Sequence, residues 1–102
     1  MKNEVYSATD NGKHKFILFV SGMSVKSGHA IENLRKICET YLTDNFELQI
    51  IDISRDKEQA VNYQIVGIPT LIRTSPAPPR IILGDLSDTE KVLRVLNINV
   101  NE

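Results

Sequence analysis

The chain has little of what redox enzymes and membrane proteins usually carry. Its 102 residues include one cysteine, Cys38, and no tryptophan. A single cysteine excludes an intrachain disulfide and a Cys-x-x-Cys redox pair. No apolar run approaches the roughly 20 residues of a membrane span, since the longest, residues 16–20, has the length of a strand. The N-terminus is polar up to Lys15 and lacks a hydrophobic signal region, so we expect a cytoplasmic protein without membrane attachment.

The charge balance is close to neutral. Twelve lysines and arginines stand against thirteen aspartates and glutamates, which gives a formal net charge of -1. Nucleic-acid-binding domains usually carry a basic stripe or patch, and attraction to an anionic membrane surface needs the same excess of positive charge. The sequence therefore gives no support to binding of nucleic acid or of a membrane.

Patterns that hold cofactors, metals or catalytic groups are also missing. There is no glycine-rich phosphate loop, and His14 and His29 have no companion ligand at a metal-like spacing. Asp52 and Asp85 end predicted strands, where aspartates more often form turns than take part in catalysis. We therefore predict no catalytic, cofactor-binding or metal-binding residues and no enzymatic activity.

The first half of the chain reads as strand, helix, strand. Residues 15–20 are continuously apolar after Lys15, a pattern that is typical of a central strand buried on both faces. From Ala30 the apolar residues recur at steps of three and four, which predicts an amphipathic helix with Ser24 or Ser27 as its N-cap. Residues 46–53 alternate between apolar and polar before turning apolar, and this pattern predicts a second strand.

The next predicted helix is short and covers residues 54–63. Ser54 is the expected N-cap, and acidic residues in the first turn suit the helix dipole. The expected buried side of this helix consists of Ala60, Val61 and Ile65.

Two strands and a helix complete the chain. Residues 71–74 and 80–83 are predicted strands joined by the proline cluster at 76–79, which fixes φ and removes hydrogen-bond donors. Because proline precedes the fourth strand, we place that strand near a sheet edge. Ser87 at the N-cap and Glu90 at the third helical position form the expected capping box of the last helix.

These elements predict an α/β fold of the thioredoxin-like class. The order βαβαββα gives a mixed four-stranded sheet flanked by three helices, because a strand-helix-strand unit makes parallel strands and the proline turn makes an antiparallel pair. Pro69 opens the third strand, where this fold keeps a cis-proline; an ordinary trans proline at a strand start is the alternative. We expect a loosely ordered arm at 1–13, one domain at 14–97 and a polar tail at 98–102.

The position of a redox nucleophile is occupied by residues without sulfur. Thioredoxin-type enzymes place an activated cysteine between the first strand and the first helix, and residues 22–27 here contain none. Ser24 and Ser27 keep the two-residue spacing, and we expect them to serve as helix caps or loop residues. Cys38 lies on the apolar face of the predicted helix, which predicts a buried structural thiol.

Several stretches together resemble the KaiB family of small thioredoxin-like clock proteins. The specific match is the proline cluster followed by Gly-Asp-Leu-Ser, where the family has Ile-Ile-Gly-Asp-Leu-Ser. The resemblance runs from about Lys15 to Leu96 without a gap. The matching stretches are residues 19–22, 51–53, 68–71, 76–79, 82–88 and 91–93.

This resemblance implies a regulatory binding protein. Family members dock on the N-terminal ring of the hexameric ATPase KaiC, can recruit KaiA, displace a sensor histidine kinase and form dimers or tetramers. They also switch to a ground-state fold with a rearranged C-terminal half, which is the alternative fold here. Val95 stands where cyanobacterial members have glycine in the last helix. Because valine costs a helix less than glycine, this favours the thioredoxin-like state.

We therefore expect a non-enzymatic protein that docks on a KaiC-like hexameric ATPase in a circadian clock or a related stress-response system. A KaiA-like protein or a sensor histidine kinase is a further expected partner, and a homo-oligomer is the expected assembly. The alternative is a degenerate thioredoxin-like redox or chaperone-like protein independent of KaiC. The expected functional residues are the cis-proline Pro69 and a switching or docking region marked by Arg80, Gly84 and Asp85.

Overall fold

The computed structural model describes residues 13–22 and 24–98. Seven elements follow one another in the chain, and they are β1 (His14–Val20), α1 (Val25–Tyr41), β2 (Phe46–Asp52), α2 (Lys57–Asn62), β3 (Thr70–Ser75), β4 (Arg80–Leu83) and α3 (Thr89–Val95). The predicted arm at 1–13 and tail at 98–102 lie outside the described residues apart from Lys13 and Ile98. Ile98 packs against the core, and its amide donates to the carbonyl of Leu93 at 2.9 Å.

The four strands form one mixed sheet in the order β2-β1-β3-β4. β1 pairs parallel with β2 and antiparallel with β3, and β3 pairs antiparallel with β4. The central place of β1 and the edge place of β4 confirm the predictions made from the apolar run and from the prolines. Residues 89–95 are helical, so the molecule has the thioredoxin-like arrangement and not the alternative one.

The two faces of the sheet are covered very differently. On the first, which we call the closed face, strand side chains such as Phe16, Leu18 and Leu71 pack against α1 and α3. On the second, the open face, Ile17, Phe19, Ile51 and Ile72 form a smaller cluster. The segment that follows α2 covers this cluster, and Ile65 and Ile68 pack on it. The centroid of the Tyr63 ring lies 5.4 Å from the centroid of the Phe19 ring.

Helix α1 begins earlier than the apolar pattern suggested. Ser24 is its N-cap, with the Ser24 hydroxyl accepting the amide of Ser27 at 3.1 Å, and the helix starts at Val25. Of the two N-caps expected from the sequence, the structure therefore selects Ser24. Ser27 is fully buried in the first turn.

The predicted N-caps of the other two helices are wrong for the same reason. Ser54 does not cap α2, because Asp52, two residues earlier, accepts both the amide and the hydroxyl of Ser54. Ser87 does not cap α3, because Asp85 accepts its amide. An aspartate further along caps each helix instead, and these N-caps are Asp56 and Asp88.

The predicted buried side of α2 is also partly wrong. Val61 is 73% exposed, and no residue of α2 is buried. Ala60 and Ile65 are half-buried, as the pattern indicated. A six-residue helix makes too few contacts to hide an apolar stripe, and the residues after it do the packing.

Candidate functional site

The loop between β1 and α1 is built from hydrogen bonds that use the serine oxygens. The amide of Ser21 donates to the Ser27 hydroxyl oxygen at 3.0 Å, and the amide of Ser27 donates to Ser24. Gly22 donates its amide to the Asp52 carboxylate at 2.9 Å. The hydroxyls of Ser24 and Ser27 thus serve as helix and loop acceptors, the structural role expected from the sequence.

The Asp52 carboxylate beside this loop is an anion, not a base poised for proton transfer. Hydrogen bonds from the Ser54 hydroxyl, the Gly22 amide and the Ser54 amide lower the pKa of Asp52. Each donor stabilises the charged form of the acid. General bases usually have a pKa raised towards the working pH. The geometry here fits a turn former that joins the end of β2 to the loop before α1.

Cys38 has no access to solvent. It is fully buried on the inner side of α1, which confirms the expectation of a buried thiol. Burial raises the pKa of the Cys38 thiol to about 12, with a further upward contribution from Glu39. Because the thiolate is the reactive species, this cysteine is unreactive at neutral pH.

Pro69 lies at the start of β3 in a tightly bonded loop. The peptide bond between Ile68 and Pro69 is cis, as are those before Pro76 and Pro78. Pro69 is fully buried, and its carbonyl accepts the amide of Gly84 at 2.9 Å. The hydroxyl of Thr70 donates to the carbonyl of Gly67 at 2.6 Å, which holds the loop against the strand.

Gly84 and Asp85 form the turn after β4, beside Pro69. Gly84 has a φ of +117°, a conformation that glycine adopts without strain. The Asp85 carboxylate accepts the Ser87 amide at 3.0 Å, and hydrogen bonds from Ser87 lower the pKa of Asp85. The Asp85 carbonyl accepts from the side-chain amide of Asn33 on α1 at 2.9 Å, a contact that the sequence did not reveal.

Arg80 lies at the other end of β4. Three strand steps separate it from Leu83, or about 10 Å, so the structure brings Pro69, Gly84 and Asp85 together but leaves Arg80 apart from them. Arg80 is exposed and stands opposite Arg73 in the register of β3 and β4.

Arg73 is a buried cation that the sequence reasoning missed. It is 3% exposed; its Nη1 donates to the carbonyl of Leu96 at 2.5 Å and its Nη2 to that of Pro78 at 3.4 Å. Its Nε has no partner among the residues that the structure describes. Burial, and next the nearby Arg80, lower the pKa of Arg73. Strand alternation was the available signal, because it puts Arg73 on the same face as Leu71.

An apolar groove runs along the open face between the segment after α2 and the edge strand. Its volume is about 240 Å³, and Thr70 and Ile72 form part of its floor. Val66 is 93% exposed, Ile81 66% and Leu83 58%, so its rim presents apolar side chains to solvent. Exposed apolar patches of this kind mark interaction sites more often than chance.

Two other features, a metal site and a membrane-spanning helix, were searched for in the residues that the structure describes. Over residues 13–22 and 24–98, no three or more His, Cys, Asp or Glu side chains are grouped so that they could hold a metal ion. Within the same residues, no helix combines the length and the apolar character needed to cross a membrane.

The strand order, the helices on both faces and the proline at the start of β3 define a thioredoxin-like domain that lacks the cysteine pair. Solved structures with this fold include a thioredoxin of Fasciola hepatica, with a TM-score of 0.69 and 12% identity over 94% of this chain and 90% of that one. The N-terminal domain of SasA from Synechococcus elongatus matches with a TM-score of 0.67 and 22% identity over 87% and 88% of the two chains. These similarities confirm the predicted fold class.

Sequence comparisons identify the family. The KaiB domain model matches residues 17–98. The circadian clock protein KaiB3 of Synechocystis is 42% identical over 81 residues, which cover 79% of each chain. The circadian clock oscillator protein KaiB of Parasynechococcus marenigrum is 38% identical over 85 residues, 83% of this chain and 82% of that one. The chain belongs to the KaiB family, and the resemblance found in its sequence is confirmed.

Proposed function

We propose that this protein is a non-enzymatic regulator that docks on a KaiC-like hexameric ATPase in a circadian clock or a related stress-response system. The observation that carries the proposal is the match of the KaiB domain to residues 17–98, on a thioredoxin-like fold whose redox position holds serines. The buried thiol of Cys38 and the bonded hydroxyls of Ser24 and Ser27 support a binding role over a catalytic one.

The docking or switching region in this proposal comprises the Pro69 loop, β4 and the turn at Gly84 and Asp85. The hydrogen bond between Gly84 and Pro69 makes the loop and the turn one unit. Arg80 supplies an exposed positive charge at the other end of the same strand.

A sensor histidine kinase and a KaiA-like protein are the further partners in this proposal. The similarity to the SasA N-terminal domain supports competition, because two proteins of one fold can occupy one docking surface in turn. Such competition would appear as displacement of a thioredoxin-like sensor domain from the ATPase when this chain is added.

The test is co-elution with the KaiC-like ATPase of the same organism in size exclusion with light scattering, in ATP and in ADP. We expect a complex with about one copy per ATPase subunit. Arg80→Glu should weaken it, whereas Arg55→Glu, an exposed arginine outside the docking region, should not. Absence of a complex in both nucleotides would overturn ring docking, and equal binding by both variants would overturn the assignment to Arg80.

The second candidate is a thioredoxin-like redox or chaperone-like protein that acts without KaiC. The exposed apolar groove favours its chaperone-like form, but the buried thiol of Cys38 disfavours redox chemistry. An insulin-reduction assay separates the redox form from the leading proposal, which predicts no activity. Activity that is present in the parent and lost in Cys38→Ser would establish the redox form.

A further inference from the structure

His14, the first residue of β1, has a ring nitrogen that is buried without a partner. Its Nδ1 atom is shielded from solvent and makes no hydrogen bond with any residue that the structure describes. The imidazole stacks on the Phe16 ring, with 5.9 Å between the ring centroids and 24° between the ring planes. Side chains two residues apart on a strand share a face, so His14 lies on the closed face together with Phe16.

Arg73 is the charged neighbour of this ring. In the register of β1 and β3 it lies opposite Phe16, on the same face. Burial, and next the charge of Arg73, lower the pKa of the His14 imidazole, so the two side chains are close enough for their charges to interact. The guanidinium is itself buried, and its Nε has no partner among the described residues. Two unpartnered nitrogens therefore lie at one end of the closed face.

No carboxylate among the described residues forms an ion pair with either of these basic groups. Glu47 pairs with Lys13 at 3.3 Å, and strand alternation places this pair and Lys15 on the open face, away from His14. Arg80 stands on the far side of Arg73 and adds a further positive charge. Other charged side chains at the ends of elements that meet here are exposed to solvent, namely Glu39, Asp44 and Arg94.

Arg73 connects His14 to the end of α3. Its Nη1 donates to the carbonyl of Leu96 at 2.5 Å, and Leu96 is the C-cap of that helix. A second proton on the His14 ring gives both nitrogens a hydrogen to donate and adds a positive charge, although Nδ1 faces no acceptor among the described residues. Because arginine keeps its own proton, Arg73 can respond to this new charge only by moving. Such a movement would break its contact with the helix end.

We propose that His14 and Arg73 form an acid-sensitive lock on the end of α3. With a neutral His14, Arg73 holds the Leu96 carbonyl and the last turn of the helix stays closed. When His14 takes up a proton, the two like charges repel each other and the last turn of α3 is released. The lock is a property of the free protein and does not depend on docking to an ATPase.

The direction of the pH effect follows from which state binds the proton more tightly. In the closed state the pKa of His14 lies below the ordinary value of 6.5. Release of the helix end lets water reach the ring and takes Arg73 away from it, so the open state binds the proton more tightly. Release should therefore become easier as pH falls below 6.5, and the effect should level off once pH falls below the pKa of the closed state.

The test is hydrogen exchange of the backbone amides of the full chain from about pH 8 to about pH 5, the range in which histidine titrates. Each rate is divided into the intrinsic rate at the same pH, which gives a protection factor. The Ile98 amide donates to the Leu93 carbonyl at 2.9 Å and should lose protection several-fold towards the acidic end. The Val92 amide, which donates to Asp88 at the start of α3, should keep its protection. Constant protection at Ile98 would overturn the proposal.

The two histidines of the chain allow matched variants. His14→Phe keeps a ring on Phe16 but cannot take up a proton, so Ile98 should be equally well protected at both ends of the pH range. His14→Gln repeats the test if the phenylalanine variant folds poorly. His29→Gln, at an exposed histidine of α1, should respond to pH like the parent. A response that persists without the His14 imidazole, or that disappears in His29→Gln, would overturn the assignment to His14. Equally low protection at both ends in His14→Phe would give the ring a packing role only and would overturn the lock.

Arg73→Met tests whether the arginine carries the effect to the helix. The Ile98 amide should lose protection several-fold at the alkaline end of the range and should no longer respond to pH. The pKa of His14, followed by NMR titration of the ring, should rise but stay below 6.5, because burial remains when the charge of Arg73 is removed. A pH response as large as that of the parent would overturn the link through Arg73. A His14 pKa equal to that of the parent would overturn the interaction between the two charges.

Discussion

The two faces of the sheet are made from similar strand residues but are covered in opposite ways. On the closed face α1 and α3 bury Phe16, Leu18 and Leu71 almost completely. On the open face the six-residue helix α2 has no buried residue, and Tyr63, Val66 and Ile81 remain exposed in part. Burial of apolar area is the main source of stability, at about 25 cal/mol per Å². The closed face therefore carries most of the stability, and the open face leaves apolar area free for binding.

The largest expected difference is between core substitutions on one face and surface substitutions near the other. Leu34 is fully buried under the closed face, whereas Val61 on α2 is 73% exposed. Leu34→Ala should lower the free energy of unfolding by about 2–5 kcal/mol, since a cavity adds to the lost transfer energy. Val61→Ala should change it by less than about 0.5 kcal/mol. Urea denaturation of both variants measures this, and similar losses would contradict the division into two faces.

Arg73 tests how the closed face tolerates a buried charge. Arg73→Met replaces the guanidinium with an unbranched apolar side chain and so removes the donors to the carbonyls of Leu96 and Pro78. We expect a loss of about 1–3 kcal/mol, because the Leu96 carbonyl is left buried without a partner. Arg80→Met, at the exposed cross-strand neighbour, is the control and should change stability by less than about 0.5 kcal/mol. A gain in stability in Arg73→Met would show that desolvation of the guanidinium outweighs its hydrogen bonds.

On the open face, a hydrogen bond made by Thr70 holds the loop that contains Pro69. The Thr70 hydroxyl donates to the Gly67 carbonyl at 2.6 Å, within the loop that contains Pro69. Thr70→Val keeps the shape and removes the bond, so we expect a loss of about 0.5–1.5 kcal/mol in thermal or urea unfolding. Thr74→Val, whose hydroxyl bond to Lys15 is longer and exposed, should cost less. An equal loss of unfolding free energy in Thr70→Val and Thr74→Val would argue against a special role for the hydrogen bond between Thr70 and Gly67.

Asp52 gives the smallest effect, and it depends on pH. Its pKa in the folded protein lies below the ordinary value of 3.8. A lowered pKa stabilises the fold at pH values above 3.8, and this contribution is lost as pH falls through the folded pKa. The thermal midpoint of the parent should therefore exceed that of Asp52→Asn near neutral pH, and the difference should shrink below about pH 4. If the thermal midpoints of the parent and of Asp52→Asn differed by the same amount at every pH down to 2.5, the stabilising role of the Asp52 carboxylate would be contradicted.

Sequence patterns predicted the central parts of the fold because burial decides them. The apolar run at 16–20 could be buried only in a strand covered on both sides, and β1 is that strand. The same logic placed β4 at an edge after its prolines. These predictions did not require knowledge of tertiary contacts, because the periodicity of apolar residues along the chain separates buried from exposed positions.

The helix starts and the exposed edge could not be predicted in this way. At both wrong N-caps an aspartate two residues upstream takes the serine amide, an Asx turn that competes with capping. The sequence signal for this competition is the motif Asp-x-Ser, which occurs at 52–54 and 85–87. The groove and the buried contacts of Arg73 depend on how segments far apart in the chain meet, which local patterns do not encode.

The place of β1 in the strand order also bears on the time course of synthesis. β1 leaves the ribosome first, but its antiparallel neighbour β3 consists of residues 70–75 and emerges only after α1, β2 and α2. At about 5–20 residues per second, the first strand waits roughly 3–11 s for that neighbour. The most apolar strand of the chain is therefore the one that spends longest without its full set of partners.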